Sequence, residues 1–72
     1  MITFGGEAVL NEVYKLTGGI RGAVADFDAV AAMLEWDVAE VKNVATELRD
    51  AGYLRVTFGG ASLTAAGHAA TA

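Results

Sequence analysis

The chain has 72 residues and no cysteine, so one domain is the most that it can form, and a disulfide framework or a cysteine-ligated zinc site is excluded. No apolar run approaches the roughly 20 residues of a membrane span and the N-terminus has no signal-peptide pattern, so we expect a cytoplasmic protein without membrane association. The formal net charge of −4 argues against strong non-specific attraction to phosphate groups, which depends on lysine and arginine.

The first helix is predicted over residues 7–17, after a start at residues 1–4 that fits either a short strand or a frayed arm. Two apolar lines run along this helix about 100° apart. They are Val9, Val13 and Leu16 in one line and Leu10 and Tyr14 in the other. The two lines fit one wide core face or, as the alternative, a core face beside a homodimer interface. Gly18-Gly19 ends the helix.

The second helix is predicted over residues 27–34. The connector before it allows a short extended piece around residues 23–25, and Asp26 is a suitable N-cap because its carboxylate can accept from free backbone N–H groups. The expected buried face is made of Phe27, Val30, Ala31 and Leu34. Trp36 lies in the turn that follows, and we expect it to pack under a later hairpin or between helices.

The third helix is predicted over residues 38–51. Asp37 with Glu40 three residues later fits a capping box in which Asp replaces Ser or Thr. The expected buried stripe is made of Val38, Val41, Val44, Ala45 and Leu48. Gly52 stands where a left-handed C-terminal cap belongs.

Two strands are predicted after this helix, over residues 53–58 and 61–63, joined by a tight Gly59-Gly60 turn. In the first strand the side chains alternate. Leu54, Val56 and Phe58 would point one way, and Tyr53, Arg55 and Thr57 the other. Thr64 can cap a short final helical turn, and the tail from His68 is expected to fray. These elements predict a single α+β domain over residues 1–72.

The order of elements from Asp26 to Gly67 resembles the winged helix-turn-helix domains of bacterial and archaeal transcription regulators, such as the MarR-like and ArsR-like groups. The matching segments are AVAAMLEWD, VAEVKNVATELRDAGYL and SLTAAG. The resemblance implies three helices, a two-stranded β-wing and a short C-terminal helical turn. It also implies a transcription regulator whose third helix enters the major groove of double-stranded DNA. Trp36 departs from the pattern, because such families often have a glycine-containing turn there. A stacking role for Trp36 is the alternative to packing.

The third helix carries suitable side chains for reading DNA. Steps of 100° per residue place Lys42 and Arg49 on one flank, and Glu40 and Glu47 on the other. The resemblance assigns base contacts to Ala39, Lys42, Asn43 and Thr46. It leaves phosphate contacts to Arg55 with its neighbour Thr57, and to Arg21 and Arg49. The alternative is that these polar side chains form an ordinary solvated helix face.

Charge supports a second hypothesis. Residues 37–50 contain two basic and four acidic side chains, a local sum of −2, so few phosphate contacts are available unless a homodimer doubles them. The alternative function is a winged-helix protein–protein interaction module without DNA binding.

An enzyme is not expected, because the only histidine, His68, lies in the tail and no phosphate-loop pattern is present. No cofactor or metal is predicted. Four carboxylates surround the second helix and its turn: Asp26, Asp28, Glu35 and Asp37. We interpret them as helix caps and solubilising charges rather than metal ligands.

Overall fold

Helices and short strands follow one another along the chain, and the strands form one small sheet. The computed structural model describes residues 4–20 and 22–71. Within these ranges the elements are α1 (Phe4–Thr17), β1 (Val24–Asp26), α2 (Phe27–Leu34), α3 (Val38–Asp50), β2 (Leu54–Thr57), β3 (Gly60–Leu63) and α4 (Ala65–Thr71). The α+β class is confirmed. The strand or arm suggested at residues 1–4 lies mostly outside the described residues, and Phe4 begins α1.

α1 ends at the predicted glycines, and α2 begins after the predicted aspartate cap. Gly19 has φ 75° and donates its N–H to the carbonyl oxygen of Tyr14 at 2.9 Å, which terminates α1. The carboxylate of Asp26 accepts from the N–H of Asp28 at 3.1 Å and caps α2. α1 begins three residues before the predicted range of 7–17, because tertiary packing outweighs the low helix propensity of two glycines.

The third helix begins at the predicted residue and has the expected glycine cap at its end, but the expected side-chain cap at its start is missing. Gly52 has φ 88°, and the following Tyr53 N–H donates to the carbonyl oxygen of Leu48 at 2.8 Å, as in a left-handed cap. At the start, Asp37 has an extended backbone, but its side chain makes no capping hydrogen bond. The predicted capping box with Glu40 was therefore wrong on the Asp37 side. The helix ends one residue before the predicted limit.

The sheet contains three antiparallel strands in the order β1-β3-β2, whereas the sequence predicted two. The additional strand β1 overlaps the suggested extended piece at residues 23–25, and it pairs Ala25 with Ala61 of β3. β3 is thus the central strand, and all four of its residues are buried. Three residues are too few to show an alternation of their own, which is why β1 could not be assigned from the pattern.

The hairpin turn is placed one residue earlier than predicted. Gly59 has φ 90°, but Gly60 already belongs to β3, so the connecting residues are Phe58 and Gly59. A Cβ on Gly60 would lie 2.6 Å from the carbonyl oxygen of Ala25. Gly60 is needed for the close approach of β1 rather than for the turn. Phe58, expected on the same side of the strand as Leu54 and Val56, is fully exposed at 108%.

The core lies between α1, α2, α3 and the inner face of the sheet. Its buried apolar residues are Val9, Leu10, Val13, Ala25, Phe27, Val30, Ala31, Val41, Ala45, Leu48, Leu54, Ala61 and Leu63. The second apolar line of α1 also packs within the chain, since Leu10 is buried and Tyr14 contacts His68, with 5.7 Å between ring centroids. Leu16 is the exception in the first line, at 42% exposure.

Trp36 packs between helices, one of the two expected positions. It is half-buried against the core, and its ring lies 3.6 Å from the point where a Cβ on Gly5 would stand. The α2–α3 turn is thus held against the first turn of α1. Burial of the indole in this position favours the packing interpretation of Trp36 over a stacking role.

The C-terminal segment forms a helix of two turns, where fraying was expected. The N–H of Gly67 donates to the hydroxyl oxygen of Thr64 at 3.1 Å, so Thr64 caps α4 as predicted. A Cβ on Gly67 would overlap the carbonyl oxygen of Tyr53. Glycine at this position therefore lets α4 pack closely on the residue that precedes β2.

Candidate nucleic-acid interface

α3 presents one face to the core and another to solvent. Its buried residues are Val41, Ala45 and Leu48. On the opposite side Ala39, Lys42 and Asn43 are exposed, as the 100° steps predict. Lys42 forms no ion pair with another described residue. These three side chains are accessible together over the first two turns of the helix, the part that a major groove would receive.

Thr46 extends this surface, but its hydroxyl is already used. It is half-buried, and its Oγ1 donates to the carbonyl oxygen of Lys42 at 2.8 Å, a bond within the same helix. The hydroxyl proton is therefore not free for a base. A contact from Thr46 to DNA would come from its methyl group or from the remaining acceptor capacity of its oxygen.

Arg49 is engaged by a neighbouring carboxylate. Its Nε and Nη2 donate to Oδ1 of Asp50 at 3.3 and 3.2 Å. Both side chains are more than half exposed, so this pair contributes little to stability. It does reduce the positive charge that Arg49 offers to a phosphate. Glu40 and Glu47 are exposed on the same helix, so the outer surface of α3 carries mixed charge.

Arg55 and Thr57 belong to the outer face of the sheet. Arg55 is paired with Ser62, and Ser62 with Val24, in register across the three strands, so these side chains share one face. Thr57 lies two residues further along β2, and its hydroxyl donates to the carbonyl oxygen of Gly60 at 3.2 Å. The hairpin that carries them is held close to the domain, because the N–H of Phe27 donates to the carbonyl oxygen of Gly59 at 3.0 Å.

A depression opens on this face, and we refer to it as the outer-face depression. It has a volume of about 610 Å³ and is lined by Gly22, Arg55, Ser62, Leu63, Thr64 and Ala65. None of these residues belongs to α3. Sequence reasoning found Arg55 but missed Ser62, because its position depends on β1, which covers one side of β3.

The structure thus brings together only part of the predicted set. Ala39, Lys42 and Asn43 share the exposed face of α3 with Thr46, while Arg55 opens onto the outer-face depression. Arg21 lies outside the described residues. The short β2–β3 hairpin exposes Phe58 at its turn instead of a basic side chain.

Metal-binding clusters and membrane-spanning helices are both absent from the part of the chain that the structure describes. Across residues 4–20 and 22–71, no three of the His, Asp and Glu side chains come together to hold a metal ion. In the same part of the chain, no helix has the length and apolar character to cross a membrane. His68 is half-buried in α4 and contacts Tyr14, which is a packing role.

Comparison with family models found no match for this chain, and comparisons with curated proteins and with solved structures found none either. The function must therefore be argued from the chain's own side chains. The exposed start of α3 and the outer face of the sheet are the two surfaces that carry unpaired cations among the described residues, on Lys42 and Arg55.

Proposed function

We propose that this chain has a winged helix-turn-helix layout and binds double-stranded DNA as a transcription regulator, with α3 in the major groove. The order helix–strand–helix–helix–strand–strand supports the layout, as does the pairing of β1 with β3. Only the three residues 35–37 separate α2 from α3. Glu35 turns the chain there with φ 58°, a left-handed conformation uncommon outside glycine.

The observation that carries the proposal is the free, exposed group at the start of α3. Lys42 has no ion-pair partner among the described residues, and Asn43 and Ala39 lie beside it in solvent. Asn can bond adenine through two hydrogen bonds, Lys can donate to guanine, and Ala can contact a thymine methyl group. A helix face that mixes one cation, one amide and one methyl group suits base reading better than phosphate binding.

The charges set the expected strength of binding. Lys42 and Arg55 supply two unpaired cations, and Arg49 is shared with Asp50. Each phosphate contact lowers the slope of log K against log salt by about 0.9, so a monomer in which Arg55 contacts a phosphate and Lys42 contacts a base should give a slope near −1. A homodimer should give about twice that slope. Affinity should therefore be modest and measurable only at low salt.

Fluorescence anisotropy with a labelled mixed-sequence duplex at ~50 mM salt tests the proposal. Lys42→Gln should weaken binding by about 3- to 10-fold. Lys15→Gln is the matched control, because Lys15 on α1 loses the same charge and is 71% exposed, yet lies off α3. Equal binding by wild type and Lys42→Gln, or an equal loss in Lys15→Gln, would contradict a contact between α3 and DNA.

A second candidate function, docking to a protein partner, is favoured by the hairpin turn. Phe58 is fully exposed, and the turn lies beside the start of α2, where Asp26 and Asp28 are exposed. An aromatic anchor flanked by carboxylates fits an apolar pocket with a basic rim. On this hypothesis no duplex DNA binds even at low salt. A specific partner would then be lost on Phe58→Ser and kept on Met33→Ser, a control at 61% exposure.

A further inference from the structure

The outer-face depression is lined by a positive charge, although the protein as a whole is acidic. Of the six residues that line it, Arg55 carries the only charge and none is a carboxylate. Arg55 forms no ion pair with another described residue. In a chain of net charge −4, a concave site with one free guanidinium and no acid attracts anions locally, against the sign of the whole.

Ser62 adds a second polar group to the same site. It is only 4% exposed, and its hydroxyl makes no hydrogen bond to another described residue. Because it lines the depression and is in register with Arg55, the two Cβ atoms are about 5 Å apart. The hydroxyl of Thr64 is different, since it donates to Gly52 and accepts from Gly67. Ser62 is therefore the hydroxyl available to a ligand.

We propose that the outer-face depression binds a small organic carboxylate, held by the guanidinium of Arg55 and the hydroxyl of Ser62. One cation balances one negative charge, which fits a monoanion better than a phosphate monoester of charge about −1.5 to −2. The guanidinium fork matches the two oxygens of a carboxylate. The depression is open to solvent, and its volume of about 610 Å³ exceeds what the carboxylate alone needs.

The rest of the lining limits what else the ligand carries. Gly22 and Ala65 are small and exposed, whereas the side chain of Leu63 is buried in the core. The depression therefore leaves room for a short chain beside the carboxylate but offers it little apolar surface. This ligand site lies off α3, so it goes beyond the proposed contact with DNA bases, and the two share only Arg55, which is also counted as a cation for DNA.

Amide NMR spectra of the whole chain test the site, with hexanoate as the probe and hexanamide as its neutral match. Hexanoate should give saturable shifts centred on Gly22, Ser62 and Ala65, and on the side-chain N–H of Arg55. Hexanamide should bind at least tenfold more weakly, because it lacks the charge that the guanidinium pairs. Equal binding of the two probes would overturn the proposal, as would shifts scattered over all basic residues.

Variants then separate the two groups. Arg55→Gln should weaken hexanoate binding about tenfold or more, and Ser62→Ala about threefold, in line with one charged and one neutral hydrogen bond. Lys42→Gln, an equal charge loss on α3, should change nothing. The dispersion of the same spectra shows whether each variant is folded. If Arg55→Gln unfolds, Ser62→Ala still tests the site, because alanine is close to serine in size. Unchanged affinity in folded variants of both positions would overturn the assignment.

Two further probes test the ligand class. Butyl phosphate should bind more weakly than hexanoate at a pH where it is a dianion, and tighter binding would overturn the preference for a monoanion. In the Lys42→Gln variant, hexanoate should still shift the same amide signals when a short duplex is present. If only duplex DNA shifts Ser62 and Arg55, and hexanoate does not, the depression is a backbone-phosphate contact and the carboxylate site is wrong.

Discussion

The hydroxyl of Thr64 donates a hydrogen bond of 2.6 Å to the carbonyl oxygen of Gly52, which ties the residue before α4 to the turn after α3. The same hydroxyl oxygen accepts from the N–H of Gly67 at 3.1 Å. One side chain therefore caps α4 and fixes its start to a turn 12 residues earlier. The left-handed φ of 88° at Gly52 helps to direct that turn.

Replacement of Thr64 by Ala should lower the free energy of unfolding by about 1–2 kcal/mol, because both hydrogen bonds are lost and a helix cap is removed. Urea denaturation followed by circular dichroism measures this change. Thr46→Ala is the matched control, since the Thr46 hydroxyl bonds only within its own helix, and it should stay within about 0.5 kcal/mol. Equal losses in the two variants would contradict a special role for Thr64.

Two glycines should respond to Ala in opposite directions. A Cβ on Gly60 would meet the carbonyl oxygen of Ala25 at 2.6 Å, so Gly60→Ala should destabilise the domain by about 2 kcal/mol or more and weaken β1 pairing. Gly5 lies in α1 with space for a Cβ, 3.6 Å from Trp36, so Gly5→Ala should stabilise by about 0.5–1 kcal/mol. Thermal unfolding measures the stability of both variants against wild type. Faster hydrogen exchange at the Ala25 amide in Gly60→Ala would show that the pairing of β1 is weakened.

Sequence periodicity predicts the helices well because each buried stripe repeats over two or more turns. The stripe of Val41, Ala45 and Leu48 also gives the opposite, exposed face of α3 by geometry alone. The sheet was harder to predict, because β1 is stabilised by its pairing with β3 and not by its own pattern. Phe58 shows the same limit. It continues the alternation of β2 in sequence, but the strand ends before it, where Gly60 must approach β1.

The candidate site divides in the same way. The exposure of Lys42 and Asn43 follows from helical spacing, and the structure agrees with it. The engagement of Arg49 by Asp50 depends on side-chain rotamers, which a sequence does not specify. The proximity of Ser62 to Arg55 depends on strand register, which the turn position sets. Surface positions can therefore be assigned from one element, whereas pairings between elements need the fold.

If α3 binds DNA, the pairing of Arg49 with Asp50 weakens the complex. Asp50→Asn removes one acid and frees the guanidinium for a phosphate, so it should tighten duplex binding about threefold at ~50 mM salt and much less at ~200 mM. Anisotropy titrations at the two salt concentrations measure the difference. Asp28→Asn is the control on α2, which removes an equal charge without freeing an arginine. The same gain in both variants would mean that net charge alone, and not Arg49, sets the affinity.

The predicted homodimer can be tested at Leu16. This side chain is 42% exposed at the end of α1, while the rest of its apolar line is buried. If α1 forms the interface, Leu16→Ser should weaken self-association about tenfold, as measured by sedimentation at several concentrations. Met33→Ser on α2 removes an apolar side chain at 61% exposure and should leave association unchanged. A monomer at all concentrations, for wild type as well, would contradict dimerisation.

Glu12 is a buried carboxylate with incomplete hydrogen bonding and a weak ion pair. It is 8% exposed, and its Oε2 has no hydrogen-bond partner among the described residues. Its Oε1 lies 3.6 Å from the Nζ of Lys15, which is 71% exposed. Such a pair recovers little of the cost of removing a carboxylate from water. Glu12→Met keeps a similar length and removes the unpaired oxygen, so it should raise the free energy of unfolding by about 1 kcal/mol.

Urea denaturation of Glu12→Met and of Lys15→Met separates packing from pairing. Lys15→Met removes the cation and leaves the carboxylate in place, so it should destabilise or leave stability unchanged, whereas Glu12→Met should stabilise. A loss of stability in both variants would show that the ion pair itself holds α1 in place. A stabilised Glu12→Met that has lost duplex binding or self-association would instead mean that this carboxylate is retained for a function of α1.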